Sequence, residues 1–523
     1  MLCKKLLFSL WGLFGLTQLG ITQIGFGSKP INVQNANSLE FDESVSGAQR
    51  LIGNVVLEHD GTYLYCDSAR LYETTNRLEA YSSVRIVSDS VRISGDRLTY
   101  DGKTKIADIT GRAVRLNDAS FQLTTNRLTF DNQKNIASYN SGGKITGLKN
   151  NNELSSGKGD YHTKEKTVYF SRNVVLKNQE FTVRCDTLKY NLRNETAYFI
   201  GPTTINSKQN SIYCEYGFYN TKQDIAEFQK NARLTNNKQV LTADWIVFNQ
   251  KTGKGKAKNN VLIKDTSSKV ILTSNMADYD QKSGKILLSD SAVMQQIFAK
   301  DTLFLHGDTL VSISDENKNR RMTAFRHVKF FKNDFQGKAD SLSYSDGDSL
   351  LRLFGNPVIW NAENQLSADS LNIQLANSEL SLLLMRKNAF IISEVDELRF
   401  NQIKGNNITG RFMNSELRKV EVHGNGQSVY YVRDSKDELI GVNKIVCSSL
   451  NLLIDSNKVK EISFLNQPDA TLYPMKEENQ NELRLKGFQW MKADRPRGKS
   501  DIFKWIEFSE KPQDKNKKNK RRK

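Results

Sequence analysis

Residues 181–199 read FTVRCDTLKYNLRNETAYF, and this stretch contains the unit from which most of the chain is built. Apolar and polar residues alternate along 181–190, which places their side chains on opposite faces of a strand. Asn191 then stands where a tight turn needs a residue that bonds its own backbone or tolerates a left-handed conformation. Ala197–Phe199 begins a returning strand. Each unit is therefore predicted to be two strands of about eight to ten residues.

The unit recurs at intervals of 29 to 31 residues or multiples of them. The returning strand carries an apolar pair of the form Val-x-Leu or Val-x-Ile, at Val55/Leu57, Val84/Ile86, Val114/Leu116, Val174/Leu176 and Val261/Ile263. The outgoing strand carries an acidic or amide residue four positions before an aromatic, as in Asp96/Tyr100, Asp186/Tyr190 and Asp244/Phe248. Two marks at one period indicate a stacked repeat architecture.

The predicted fold class is all-β, a stacked antiparallel structure built from 29–30-residue two-strand repeats. A two-stranded unit cannot bury its apolar face alone, so stacked neighbours must close a continuous apolar interior, which we call the lane. Helical periodicity is nearly absent, and only residues 378–386 favour a short helix. The ten residues of the Val-x-Leu/Ile pairs are the candidates for lining the lane. The alternative is that they form an ordinary dry core.

The chain begins with two lysines and an apolar run from Leu6 to about Leu16, which is typical of a cleaved secretory signal peptide over residues 1–27. The net charge is +17, of which the tail 511–523 contributes +7 and Lys4 and Lys5 contribute +2. The remaining +8 is spread thinly and does not predict nucleic-acid binding. The tail is predicted to be disordered; it either aids solubility or contacts an anionic membrane surface.

Cys66, Cys185 and Cys214 occupy the same position in their repeats. Because Cys185 and Cys214 belong to adjacent repeats, they either form a cross-strand disulfide in an oxidising compartment or fill equivalent positions as buried thiols.

No catalytic, cofactor or metal-binding residues are predicted. The five histidines lack metal-ligand spacing, and no nucleophile with a partner base stands out. The recurrent acidic residues are interpreted as a turn or bulge position rather than as metal ligands. The chain is therefore predicted not to be an enzyme; a β-helical enzyme acting on polysaccharide is the third and least favoured hypothesis.

The segments CDSARLY (66–72), SGDRLTYD (94–101), CDTLKYN (185–191) and LTADWIVFN (241–249) resemble those of the OstA-like, LptA-type lipopolysaccharide-transport family. The resemblance covers about 28–399, and LKGFQWMKADRP (485–496) is similar to the trailing region of longer members. It implies a V-shaped β-jelly-roll in the periplasm, either free there or associated with the outer membrane. The implied partners are the acyl chains of lipid A, held in the lane, and other bridge jelly-rolls that pair through edge strands.

The predicted organisation is a signal peptide (1–27), three OstA-like β-repeat regions (28–175, 176–325 and 326–400), a C-terminal β-rich region (401–508) and a basic tail (509–523). The alternative to a lipid-transport bridge is a sealed structural or adhesive repeat protein of the cell envelope.

Overall fold

A computed structural model describes residues 29–42, 47–88, 91–147, 152–314, 320–345, 347–376, 379–414, 416–455, 458–466 and 468–506. The predicted signal peptide and basic tail lie outside these residues. The fold is all-β, as predicted, and forms a jelly-roll-like stack of antiparallel strands. The chain divides into two compact units. The first contains Met1–Asn150 and Asp160–Lys164, and the second contains Asn151–Gly159 and Glu165–Lys523.

Most strands of the first unit are long and pair with the strands before and after them in sequence. Its strands are β1 (Asn32–Asn35), β2 (Ser38–Asp42), β3 (Ala48–His59), β4 (Thr62–Tyr72), β5 (Arg77–Ser88), β6 (Val91–Asp101), β7 (Ile106–Asn117), β8 (Phe121–Asp131), β9 (Ile136–Tyr139) and β10 (Gly143–Gly147). A 3₁₀ turn, Glu73–Thr75, follows β4. β11 (Glu153–Ser156) and β12 (Lys158–His162) lie where the chain passes from one unit to the other.

The second unit continues the same pattern. Its first strands are β13 (Thr167–Lys177), β14 (Phe181–Asn191), β15 (Thr196–Ser207), β16 (Asn210–Asn220), β17 (Ile225–Asn236), β18 (Gln239–Asn249), β19 (Lys254–Asp265), β20 (Val270–Asp280), β21 (Lys285–Ser289), β22 (Val293–Ile297), β23 (Thr302–His306) and β24 (Thr309–Ser314). They are followed by β25 (Arg320–Phe331), β26 (Phe335–Ser345), β27 (Leu350–Phe354), β28 (Val358–Asn361), β29 (Asn364–Ser367), β30 (Ser370–Ala376), β31 (Glu379–Glu394), β32 (Phe400–Met413), β33 (Glu416–Arg433), β34 (Leu439–Asp455), β35 (Lys458–Leu465) and β36 (Asp469–Pro474).

The helix favoured by the sequence at 378–386 is wrong, because Glu379–Glu394 is a 16-residue strand. From β3 to β8 and from β13 to β20 the strands are 11 or 12 residues long, slightly longer than predicted.

Many strands bend in the middle, at a corner where two residues of one strand face a single residue of its neighbour, as in a β-bulge. The pairing of β17 with β18, for example, shifts between Gln229 and Ala232. The two corner residues adopt left-handed backbone angles, which lets the chain turn sharply. They are Ser82/Ser83, Arg172/Asn173, Lys230/Asn231, Asn259/Asn260, Arg326/His327 and Lys387/Asn388.

The recurrent acidic residues brace these corners. Asp244 accepts a hydrogen bond from the corner residue Asn260 over 2.9 Å, and Glu215 accepts one from Asn231 over 2.8 Å. Asp67 and Asp369 make the corresponding contacts with Ser83 and Asn388. The periodic acidic residues therefore have a structural role at the corners of these four repeats.

Cys185 and Cys214 are free, buried thiols. Cys185 is paired with Thr203 of β15, and Thr203 is paired in turn with Cys214 of β16. The two cysteines are thus separated by a whole strand, or about 10 Å, which exceeds the reach of a disulfide. Burial raises the pKa of the Cys214 thiol to about 11. The buried-thiol interpretation is the one that the geometry supports.

The residues after β36 run back over the outer face of the strands that precede them. This C-terminal segment, residues 475–506, contains helix α1 (Gln480–Leu483) and 3₁₀ turns at Met475–Glu477, Lys492–Asp494 and Lys499–Phe503. Its residues bond to successively earlier strands along its length. Leu485 N donates to Gln402 of β32, Met491 N donates to Gln365 of β29, and Asp494 contacts Lys329 and Lys338 of β25 and β26.

Candidate functional site

In the first unit, one row of inward-facing side chains is completely sealed. Its members are direct cross-strand neighbours, each paired with the next across β3 to β8. They are Leu57, Leu64, Ile86, Ile93, Leu116 and Leu123, and each is at most 2% exposed. The lane is a dry core in this unit.

The strand ends of the first unit are joined over that core. We call the turns after the outgoing strands lip 1; in this unit they are residues 102–105 after β6 and 132–135 after β8. We call the turns after the returning strands lip 2; here they are residues 60–61 after β3 and 118–120 after β7. His59 lies at the lip 2 end of β3 and Tyr100 lies near the lip 1 end of β6. The His59 Nδ1 atom is 2.6 Å from the Tyr100 hydroxyl, so this contact joins the two lips. Lys105 of lip 1 forms a 2.5 Å ion pair with Asp60 of lip 2.

A second closure lies nearby. The Tyr161 hydroxyl donates to Asp118 over 2.8 Å, and the Tyr161 ring packs edge-on against Phe121. Burial, together with the hydrogen bond to Asp118, raises the pKa of Tyr161 far above its ordinary value. The hydroxyl therefore remains a donor throughout the physiological pH range, and this contact does not open with pH.

The equivalent row in the second unit is not sealed. Each of its members pairs with the next across β15 to β19. These five rim residues are Ile205, Ile212, Leu234, Leu241 and Ile263, and all are half-buried. They pack on a buried core that includes Cys214, Ala232 and Val261, next to the corners. The lane is thus closed at the corners and open towards the strand ends; we call this part the open lane.

The lips of the open lane are also turns at the strand ends. Lip 1 consists of residues 192–195, 221–224, 250–253 and 281–284, and lip 2 of 178–180, 208–209, 237–238, 266–269 and 298–301. On the lip 2 side, the row is open from Ile205 to Ile263. The opening therefore spans several repeats, which is long for a site that binds one compact small molecule.

The structure divides the ten predicted lane residues between these two environments. Ile263 is a rim residue of the open lane, whereas Leu176 is half-buried outside it, separated from Ile205 by the buried Val183. The other eight are almost completely buried: Val55, Leu57, Val84, Ile86, Val114, Leu116, Val174 and Val261. The ten candidates leave out Ile205 and Leu234, although these lie at 29-residue intervals between Leu176 and Ile263. They also leave out Ile212 and Leu241, which pair with Ile205 and Leu234 across neighbouring strands.

The open lane ends at a contact across the lips. Arg320, at the start of β25, forms a 3.2 Å ion pair with Asp265, the last residue of β19 next to lip 2. Beyond it, the corresponding residues Met294, Phe330 and Trp360 are buried. Burial disfavours the Asp265 carboxylate, but hydrogen bonds from Ser267, Gln239 and Arg320 outweigh it and lower its pKa below the ordinary value.

Asp265→Asn is expected to destabilise the second unit by about 1–2 kcal/mol at neutral pH, because a charge-assisted network is lost. Since the folded pKa of Asp265 is depressed, its contribution is complete above the unfolded pKa near 3.9 and is lost as the pH falls further. Urea unfolding at pH 7 and at pH 3 measures this, and the gap between wild type and variant should shrink at pH 3. A gap that is equal at both values would contradict the assignment. Asp278→Asn, an exposed carboxylate on β20, is the control.

The described residues contain no cluster of His, Cys, Asp or Glu that could hold a metal ion. In the same part of the chain, no helix is long and apolar enough to cross a bilayer. The chemistry that the open lane offers is a continuous apolar surface that is accessible from the strand ends.

An all-β repeat stack with an apolar lane open along its strand ends is a structure suited to binding elongated apolar chains. Residues 28–186 and 171–244 match the OstA-like protein family. Residues 271–379 match the family described as LptA/(LptD N-terminal domain) LPS transport protein. Over these residues the chain is a member of the OstA-like, LptA-type family, and the matches support a role in lipopolysaccharide transport. No curated protein matches the chain.

Proposed function

We propose that this protein is a periplasmic bridge that carries lipopolysaccharide towards the outer membrane, with the acyl chains of lipid A in the open lane and the sugars in water. The observation that carries this proposal is the run of five consecutive half-buried rim residues from Ile205 to Ile263. Each CH₂ group transferred from water to such a surface gains about 0.8 kcal/mol. Because successive repeats offer similar apolar surface, an acyl chain can move along them without meeting one deep trap.

The ends of the two units offer edges for partners. β1 and β2 both pair with β3, and at the other end β35 and β36 both pair with β34. Strands at a sheet edge present backbone groups that a strand of another chain can pair with. We propose that other jelly-roll bridge proteins bind at these edges.

We also propose that the basic tail contacts a membrane surface and that the protein catalyses no reaction.

The alternative is a sealed structural or adhesive repeat protein, and the closed row of the first unit favours it. The two functions differ in what reaches the second unit. A sealed repeat protein would engage its partners through outer faces or edges and would keep lipid out of the interior along its whole length.

Photo-crosslinking in cells separates the two functions. A crosslinking residue at Leu234 or Ile263 is expected to capture lipopolysaccharide, because both positions line the open lane. Lys256 is the matched control, since it lies on the same strand as Ile263, is exposed and forms an ion pair with Asp278 on the outer face. Equal capture at all three positions, or none at Leu234 and Ile263, would contradict the transport proposal.

A further inference from the structure

The two walls of the open lane differ in their side chains. The wall next to lip 2 carries the aliphatic rim residues, from Ile205 to Ile263. The wall next to lip 1 instead carries an aromatic residue near the end of each outgoing strand from β14 to β20, one position before the last residue of the strand. We call these four residues the aromatic wall: Tyr190, Tyr219, Phe248 and Tyr279.

The aromatic wall faces the lane. Ala226 pairs with both Tyr219 and Phe248, and it packs on the same buried core as the rim residues Leu234 and Leu241. Small residues separate the aromatic ones along the whole row, whose cross-strand order is Tyr190, Ala197, Tyr219, Ala226, Phe248, Gly255 and Tyr279. Strands lie about 4.8 Å apart, so one ring on every second strand gives a spacing of about 10 Å along the wall.

The contacts of two of these rings hold them against the wall. The Tyr219 hydroxyl donates a hydrogen bond of 2.9 Å to Asp224 in the lip 1 turn. Burial and this hydrogen bond raise the pKa of Tyr219 to about 12, so the hydroxyl remains a donor at physiological pH. A Cβ atom at Gly255 would lie 3.1 Å from the Phe248 ring, so that ring covers the glycine. Both rings are half-buried, and each leaves part of its surface accessible from the lane.

The first unit shows what the same positions look like in a sealed interior. Its equivalent rings, Tyr100 and Phe130, are only 3% and 2% exposed. In the open lane, by contrast, three rings of the aromatic wall are half-buried and Tyr279 is 41% exposed. Core packing explains the buried rings of the first unit but does not require accessible rings in the second, where aliphatic side chains suffice on the opposite wall.

The turns beside the aromatic wall offer hydrogen bonds to a polar group. The turns 192–195 and 221–224 each contain one basic and one acidic residue. Together with cationic side chains, the exposed amides of Asn194 and Gln223 line a depression of about 660 Å³ in these turns. Amides both donate to and accept from hydroxyl groups. A hydroxyl-rich group that rests on the rings therefore finds donors and acceptors at lip 1.

We propose that the aromatic wall stacks on the sugar rings of a glycolipid head while the acyl chains lie against the aliphatic rim. One face of a sugar ring presents C–H groups, which pack favourably on the electron-rich face of an aromatic ring. This inference rests on the proposed transport function and deepens it, because it assigns the two walls to the two parts of the lipid. The lipid is then carried in one orientation, with its head at lip 1 in every repeat.

The test compares two lipids on the full mature chain. Lipid A has a sugar head, whereas phosphatidic acid with acyl chains of the same length has a phosphate but no sugar. The variant Tyr219→Leu/Phe248→Leu keeps the wall apolar and removes two rings. The control is Tyr198→Leu/Phe218→Leu, because these two rings pair with each other on the outer face of the same wall, with their centroids 6.1 Å apart. A second control, Phe248→Tyr, keeps a ring of the kind found at the other three positions.

The wall variant is expected to bind lipid A about tenfold more weakly, since two stacking contacts are lost, and to bind phosphatidic acid as wild type does. Both control variants should match wild type for both lipids. Equal weakening for the two lipids would overturn the inference, because the rings would then contribute only apolar area. Unchanged affinity for lipid A would overturn it as well, and either result leaves acyl-chain transport intact. If wild type binds neither lipid, the transport function itself fails.

The deacylated disaccharide of lipid A serves as the competitor. It is expected to displace lipid A only at far higher concentration, because it lacks the acyl chains that bind the rim. If it competes at a concentration comparable to that of lipid A, the wall binds free saccharide rather than the head of a carried lipid, and the inference is wrong.

Discussion

Val114→Asp is expected to unfold the first unit, whereas Leu234→Asp should leave the second unit folded and abolish lipid binding. Val114 is fully buried, and a carboxylate placed there without a partner costs several kcal/mol, a large fraction of the stability of a domain. Leu234 is half-buried on the rim of the open lane, so a carboxylate there reaches water while it places a charge where acyl chains would lie. Circular dichroism with urea titration, together with mass spectrometry of co-purified lipid, measures both outcomes.

The control substitutions are Val114→Ala and Leu234→Ala. Val114→Ala should cost about 1–3 kcal/mol by loss of buried methyl groups without abolishing folding, and Leu234→Ala should weaken lipid binding only in part. A folded Val114→Asp protein that still fails to bind lipid would contradict the sealed core of the first unit. From the sequence alone, Val114→Asp would be expected to block passage with the stack intact. The structure reverses this expectation because Val114 does not line an accessible surface.

Asp494→Ala is expected to release the C-terminal segment from the outer face, with a loss of about 3–5 kcal/mol. The Asp494 side chain is 1% exposed, and it contacts the buried ammonium groups of Lys329 and Lys338. Burial lowers the pKa of Lys329, and the attraction of Asp494 opposes that shift. Without the carboxylate, two neighbouring cations remain at a site that water barely reaches, and the simplest relief is detachment of the segment. Limited proteolysis and hydrogen exchange over residues 475–506 measure it.

The rescue variant combines Asp494→Ala with Lys329→Met and Lys338→Met. Apolar side chains of similar length remove the unpaired charges, and such replacements of buried ion pairs are often neutral or stabilising. Protection of the segment should therefore return in the triple variant. If Asp494→Ala alone leaves protease resistance unchanged, the ion cluster does not hold the segment in place.

The repeat and its strands could be predicted because the relevant pattern is local. Alternation along Phe181–Tyr190 and the recurrence of the Val-x-Leu/Ile pairs fixed the class of fold and the inward face of each strand. The same pattern could not predict which pairs face an open lane. Leu57 and Ile263 occupy equivalent positions, yet one is sealed and the other accessible. The difference arises at distant turns, where contacts such as His59 with Tyr100 join the lips.

The short helix at 378–386 was a wrong prediction, and the disulfide was the less favoured of two alternatives; both have identifiable reasons. The leucine-rich run in Glu379–Glu394 lacks alternation because half-buried positions such as Leu382 and Leu384 also carry leucine, and periodicity cannot distinguish such a strand from a helix. The disulfide alternative for Cys185 and Cys214 assumed that adjacent repeats place equivalent residues on adjacent strands. Each repeat contributes two strands, so equivalent residues are always separated by the strand between them.

The path of the C-terminal segment changes how the last third of the chain responds to denaturant. Repeats that contact only their neighbours can fray one at a time from an end, because each loses only its own interface. Residues 475–506 instead connect β32 directly to β29, β26 and β25. No strand in that span can then separate without breaking bonds to a segment that the other strands also hold. The melting of this region is therefore expected to be cooperative over the eight strands from β25 to β32, so that the region acts as a rigid terminus for an otherwise divisible array.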